Sequence, residues 1–182
     1  MTQRATPAEL VEFWREAGFD RWFKADPAFD AACRAYLPLH EAAARGDLAA
    51  WEESPEGALA LVLLLDQFPR NLFRGTPRAW ATDAAALAAA DRAIARGLDA
   101  AIAPDLRAFL YMPLMHAEDP GHQERSVALF TALGIPVNLK AAHEHRALIA
   151  RFGRFPHRNA VLGRPESAAE REYLSGEGAF RG

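Results

Sequence analysis

Ala58-Leu59-Ala60-Leu61-Val62-Leu63-Leu64-Leu65-Asp66-Gln67-Phe68-Pro69-Arg70-Asn71-Leu72-Phe73-Arg74-Gly75 is the stretch that decides the fold. Its first half is apolar on nearly every side of a helix, which marks a helix packed at the centre of a domain. The apolar run ends at Leu65, far short of the ~20 residues that span a bilayer. The second half changes character. A proline, two arginines, an asparagine and a closing glycine follow the buried run, a mixture that ordinary helix-forming sequence does not need.

Helix signals continue on both sides. Thr6-Pro7-Ala8-Glu9 combines a cap, a first-turn proline and an acid at the third position. The stripe Leu10, Phe13, Trp14 and Ala17 follows, closed by Gly18. Asp26-Pro27 opens a second helix running toward Arg45-Gly46. Asp47 or Ser54-Pro55-Glu56 opens the central one. Thr76-Pro77 opens a fourth, ending near Arg96-Gly97, and Pro104 a fifth, reaching His116. Asp119-Pro120 opens a sixth, ending at Gly134. A seventh runs from about Asn138 to Phe152, and an eighth spans Ser167 to Leu174. No alternating β pattern competes with these. The expectation is all-α: stacked antiparallel hairpins in a tetratricopeptide-like array of seven or eight helices, one domain over residues 1–175 and a flexible Gly-rich tail over 176–182.

The chain has 182 residues, 51% of them hydrophobic, enough for a sizeable core. A net charge of −3 argues against a nucleic-acid partner, since backbone phosphates demand a basic surface. The start leads straight into a helix signal with no apolar leader core, so a cytoplasmic protein with no membrane partner is expected. Cys33 stands alone, which excludes an internal disulfide and a thiolate metal cluster. Neither a Gly-rich phosphate loop, a nucleophile elbow nor a dinucleotide fingerprint occurs, and no cofactor is implied.

Chemistry-bearing residues cluster in two echoing phrases. The first supplies Asp66, Arg70, Asn71 and Arg74. Asp66 follows an apolar run, and a buried carboxylate there needs a cation. Arg70 is that cation if the helix persists past Pro69. The second phrase is Arg151-Phe152-Gly153-Arg154-Phe155-Pro156-His157-Arg158-Asn159. Arginines gathered by a Gly/Pro turn suit bidentate capture of a carboxylate or phosphate, and pairing with the protein's own acids suits them equally. His116 and Glu118 flank a helix end. His116, Glu118, His157 and Asp66 are the candidates for acid/base work. A metal site is not expected: His143 and His145 alternate on their helix and point apart. Trp22, Phe23 and Phe29 read as packing between the first two helices.

Four phrases together resemble a known family. They are Arg21-Trp22-Phe23; Leu64-Leu65-Asp66-Gln67-Phe68-Pro69-Arg70-Asn71 with Arg74-Gly75; Tyr111-Met112-Pro113 with His116 and Glu118; and Arg151 to Asn159 with Leu162-Gly163-Arg164. The chain resembles the bacterial domain-of-unknown-function family 924 over almost its whole length. That resemblance implies a fold similar to tetratricopeptide-like arrays. It implies no activity, substrate or catalytic residue. Position 117 is Ala where the family pattern suggests a small hydroxyl residue.

Three functional readings follow. In the first, Asp66, Arg70, Asn71, Arg74, His116, Glu118, Arg151, Arg154, His157, Arg158 and Asn159 line one cleft for an anionic or polar small molecule. In the second, a helical array clamps an acidic peptide or a C-terminal carboxylate. In the third, the motif residues satisfy one another in a buried ion-pair network. Whether a reaction is catalysed stays open, as does the oligomeric state.

Overall fold

A computed structural model describes residues 5–181, and all regular structure among them is helical. The α-helical segments are α1 (Pro7–Phe23), α2 (Pro27–Cys33), α3 (Leu37–Ala44), α4 (Pro55–Val62), α5 (Phe68–Leu72), α6 (Asp83–Ala95), α7 (Pro104–His116), α8 (Pro120–Leu133), α9 (Pro136–Phe152) and α10 (Ala168–Ser175), with short 3-10 turns between several of them. No helix among the described residues is long and apolar enough to cross a membrane.

The punctuation works as its chemistry dictates, with three exceptions. The capping box at Thr6 is formed, as is a second at Ser167 with Glu170. The helix expected from Asp26 to Arg45 is broken by a 3-10 turn at Arg34–Tyr36, just ahead of Leu37-Pro38, where Pro38 has no N–H for a continuous ladder. Gly18 adopts φ 72, so it kinks α1 and the helix resumes to Phe23. Thr76-Pro77 opens only the 3-10 turn Pro77–Trp80, and α6 starts afresh at Asp83.

The described residues cluster into two compact units. The first comprises residues up to Arg74 and Arg78–Pro113, the second Gly75–Pro77 and Leu114 onward. In the first, α4 is buried from Gly57 to Val62, as its uniform apolarity requires. Trp14 is wholly buried beside it, with its ring 5.4 Å from Phe68, 5.5 Å from Phe109 and 5.6 Å from Phe29. Such tilted and edge-on pairs suit the ring quadrupole.

In the second unit α8 and α9 pack along each other, joined through Gly134 at φ 74. Gln123 on α8 is fully buried, and its side-chain amide donates to the carbonyls of Met115 (2.7 Å) and Ala117 (2.8 Å). These are end-of-helix acceptors that α7 leaves without intrahelical donors. Residues 176–181, read from sequence as a loose tail, turn back on α10. The Phe180 amide donates to the Tyr173 hydroxyl at 2.7 Å, and Arg181 donates to the Leu174 carbonyl.

Candidate functional site

The first phrase is built on an irregular turn. Between α4 and α5 the residues Leu63–Gln67 form a π-helical turn, in which the Phe68 amide reaches five residues back to the Leu63 carbonyl. Pro69 then has no N–H to give. The displaced carbonyls are met by side chains. His40 Nδ1 lies 2.8 Å from the Leu64 carbonyl, Thr82 Oγ1 donates to the Leu65 carbonyl, and Arg70 donates to the Asp66 carbonyl. Burial pulls the His40 pKa below its ordinary value, against the Leu64 hydrogen bond that raises it. A neutral ring facing a carbonyl carries its proton on Nδ1.

Helical backbone persists through Phe68 despite the following proline, so Arg70 does reach Asp66. Asp66 is fully buried; its carboxylate accepts from Gln67 and lies 3.2 Å from Arg70. The same guanidinium makes a bidentate pair with Asp83 at 3.1 and 3.2 Å. Burial opposes the Arg70 charge, yet Asp66 and Asp83 outweigh it and raise its pKa. Arg74 forks onto Asp30 at 3.0 and 3.1 Å and touches Asn71 Oδ1. Asn71 in turn donates to the Gln67 carbonyl.

The second phrase forms a longer network. Gly153, at φ 69, ends α9 and swings the chain into the 3-10 turn Pro156–Arg158. Arg154 forks onto Glu170 at 2.7 and 2.8 Å and also donates to the Pro165 carbonyl. Arg164 forks onto Glu118 at 2.7 and 3.0 Å. Fully buried Asn159 links the two pairs: Oδ1 accepts from Arg164 at 2.9 Å, and Nδ2 donates to Glu170 at 3.2 Å. The Phe155 amide adds a third donor to Glu118 at 2.7 Å. Both Glu118 oxygens are therefore engaged, and acid/base work through Glu118 would first have to break this pairing.

Electrostatics follow from the contacts. Burial works against the Glu118 charge, but Arg164, the Phe155 amide and Arg158 prevail and hold its pKa below the ordinary 4.5. The Arg154 fork, aided by Ser167 and Asn159, holds Glu170 well below the usual carboxylate range despite burial. A depressed carboxylate contributes stability that is present above the unfolded pKa and lost as pH falls through the folded one. The melting temperature should therefore lose these contributions only below about pH 4.5. A Glu118→Gln variant should melt below the parent at pH 7, with the gap narrowing as pH falls below about 4.5. A gap constant across that range would contradict this pairing.

The histidines gather beside Phe155. His145 lies with its ring 6.2 Å from His116 and 5.3 Å from Phe155, and its Nδ1 is 2.8 Å from the Ala141 carbonyl. Arg158 is buried, stacks 4.7 Å over Phe155 and donates to the His116 carbonyl. Burial, followed by the Arg158 and His145 charges, pushes the His157 pKa down to about 3, so this ring is neutral. Its Nδ1 is shielded from solvent and makes no hydrogen bond among the described residues. Among the described residues no three His, Cys, Asp or Glu side chains are grouped as a metal ligand set.

A cleft of about 430 Å³ opens beside the network, lined by Arg151, Phe152, Arg154, Ser167, Ala169 and Glu170. Arg151 is exposed at its edge, with its guanidinium 4.6 Å from the Phe152 ring and 5.8 Å from Tyr173. Of the expected site residues, Asp66, Arg70, Asn71 and Arg74 thus belong to the first unit. His116, Glu118, Arg151, Arg154, His157, Arg158 and Asn159 belong to the second. Sequence reasoning passed over His40, Asp30, Asp83 and Glu170 as partners, and it quoted Arg164 without assigning it one. In sequence Glu170 carries only the signal of a capping glutamate, three positions after Ser167. It fills that role, accepting from the Ser167 amide at 2.7 Å, while also binding Arg154.

Comparison with known proteins gives a family and a fold. The profile of a family described as a bacterial protein of unknown function (DUF924) matches residues 10–178. The solved structure of a protein of unknown function from Agrobacterium tumefaciens superposes with a TM-score of 0.90. It is 50% identical in sequence, and the match covers 93% of this chain and 96% of that one. No curated protein matches the chain.

Proposed function

Starting from the premise that the chain belongs to the DUF924 family of bacterial proteins of unknown function, we propose that it is a small-molecule binding protein. Its ligand is anionic or polar and sits in the cleft beside α9 and α10, with the negative group on Arg151. The observation that carries this reading is the contrast among the arginines. Arg70, Arg74, Arg154 and Arg164 are each forked onto an internal carboxylate. Arg151 lies at the cleft edge against two aromatic rings, and among the described residues no carboxylate pairs with it. A guanidinium stacked on rings is held in one orientation while its N–H edge still faces outward. The cleft is also large enough for a metabolite.

The internal forks favour a structural role for the two Phe-Pro phrases themselves. They lock turns in place, and the ligand meets what those turns leave over. A thermal-shift screen tests both parts, using phosphorylated metabolites, dicarboxylates and nucleotides. One class should give a saturable rise in melting temperature, worth roughly 2.7 kcal/mol at about a hundred times Kd. Arg151→Ala should abolish that rise and leave the ligand-free melting temperature within about 2 °C, as for other exposed substitutions. A rise that survives in Arg151→Ala, or no rise with any class in the parent protein, refutes the assignment.

A further inference from the structure

The Phe180 ring has an unusual seat. It stands edge-on to His145 at 4.7 Å and to His157 at 5.0 Å, and it packs on the cluster of Leu148, Ile149 and Phe155. These walls come from α9 and the turn after it, elements held by the Arg154–Glu170 and Arg164–Glu118 forks. The occupant comes from elsewhere. Residues 176–181 carry no helix, and Phe180 itself is only half-buried. The segment's described bonds are few: the Gly176 amide to the Tyr173 carbonyl, the Phe180 amide to the Tyr173 hydroxyl, Arg181 to the Leu174 carbonyl, and Ala179 back to Gly176. The seat is therefore rigid and its filling is loosely tied.

One ring of that wall, His157, also carries a shielded polar atom. Among the described residues His157 Nδ1 is shielded from solvent and has no hydrogen-bond partner, and a phenyl ring cannot supply one. A ring carrying a hydroxyl could pack on the same walls and also bond to that nitrogen.

We propose that the recess walled by His145, Phe155 and His157 is a binding site for a neutral, planar aromatic ring bearing a hydroxyl or N–H edge, and that Phe180 occupies it as a built-in competitor. This site differs from the Arg151 cleft, whose lining includes none of His145, Phe155 and His157. Displacing Phe180 lowers apparent affinity by the fraction of molecules in which the seat is open.

The test uses the full chain and 4-fluorophenol, a neutral planar probe, followed by fluorine NMR. Phe180→Ala should bind it about tenfold more tightly than the parent, for a seat open in roughly a tenth of molecules. Tyr173→Phe keeps both rings and removes only the acceptor of the Phe180 amide; it should bind several-fold more tightly. His157→Phe in the Phe180→Ala background should lose the gain, and Arg151→Ala should leave binding unchanged. Fluorocyclohexane, which is not planar, should bind neither protein. The proposal fails if Phe180→Ala and Tyr173→Phe bind 4-fluorophenol no better than the parent, or if Arg151→Ala removes the binding.

Discussion

Glu170→Ala is expected to melt roughly 10 °C below the parent protein. Glu170 is 2% exposed and receives four donors: two from Arg154, one from Asn159 and the Ser167 amide. Deleting it strands a guanidinium and a buried amide, and opens the start of α10. The loss leaves Asn159, which has no exposure, without an acceptor and α10 without its capping box, each worth about 1–2 kcal/mol. For a chain of this length each kcal/mol shifts the melting temperature by roughly 2–4 °C. Glu170→Gln should recover part of the loss, since its amide oxygen still accepts while the charge is gone. Melting of both variants by circular dichroism decides the matter. A Glu170→Ala protein within 2 °C of the parent would mean that the Arg154 fork is a surface pair of no consequence.

Arg70→Met should be comparably severe in the first unit, about 3 kcal/mol or roughly 9 °C. Arg70 sits between two carboxylates, Asp66 with no exposure and Asp83 mostly covered. Methionine keeps the aliphatic stem and its packing, so the loss isolates the charge. It also removes the donor to the Asp66 carbonyl in the π-turn. An Asp66→Asn, Arg70→Met double variant should regain stability relative to Arg70→Met, because one of the facing negative charges is gone. Equal melting temperatures for the single and double variants would contradict the account.

Much of the architecture was legible because its signals are local. Caps, first-turn prolines and stop glycines each act within a few residues, and the uniform apolarity of α4 needs no partner to be recognised as buried. The breaks at Pro38 and after Pro77 were missed for a related reason. A proline at a helix start and one that interrupts a helix read alike until the neighbouring ladder is known. The site was legible in part. The arginines advertise a need for anions, but which anions answer them depends on residues 13 to 46 positions away, as with Arg70 to Asp83 and Arg164 to Glu118. No spacing rule reaches that far. Glu170 was hidden in another way, since a capping glutamate is sufficiently explained by its own helix.

The π-turn at Leu63–Gln67 has a consequence for how the first unit acquires order. The Leu64 carbonyl waits for His40, 24 positions upstream, and the Leu65 carbonyl for Thr82, 17 positions downstream. Until both arrive, the middle of the most buried segment holds acceptors that only water can serve. In a linear repeat array each hairpin can settle against its neighbour alone. Here the centre must exclude water and close two long loops together, with the entropy of both closures falling on one event. The first unit should therefore form in a single cooperative step, and half-built versions of it have no stable core to rest on.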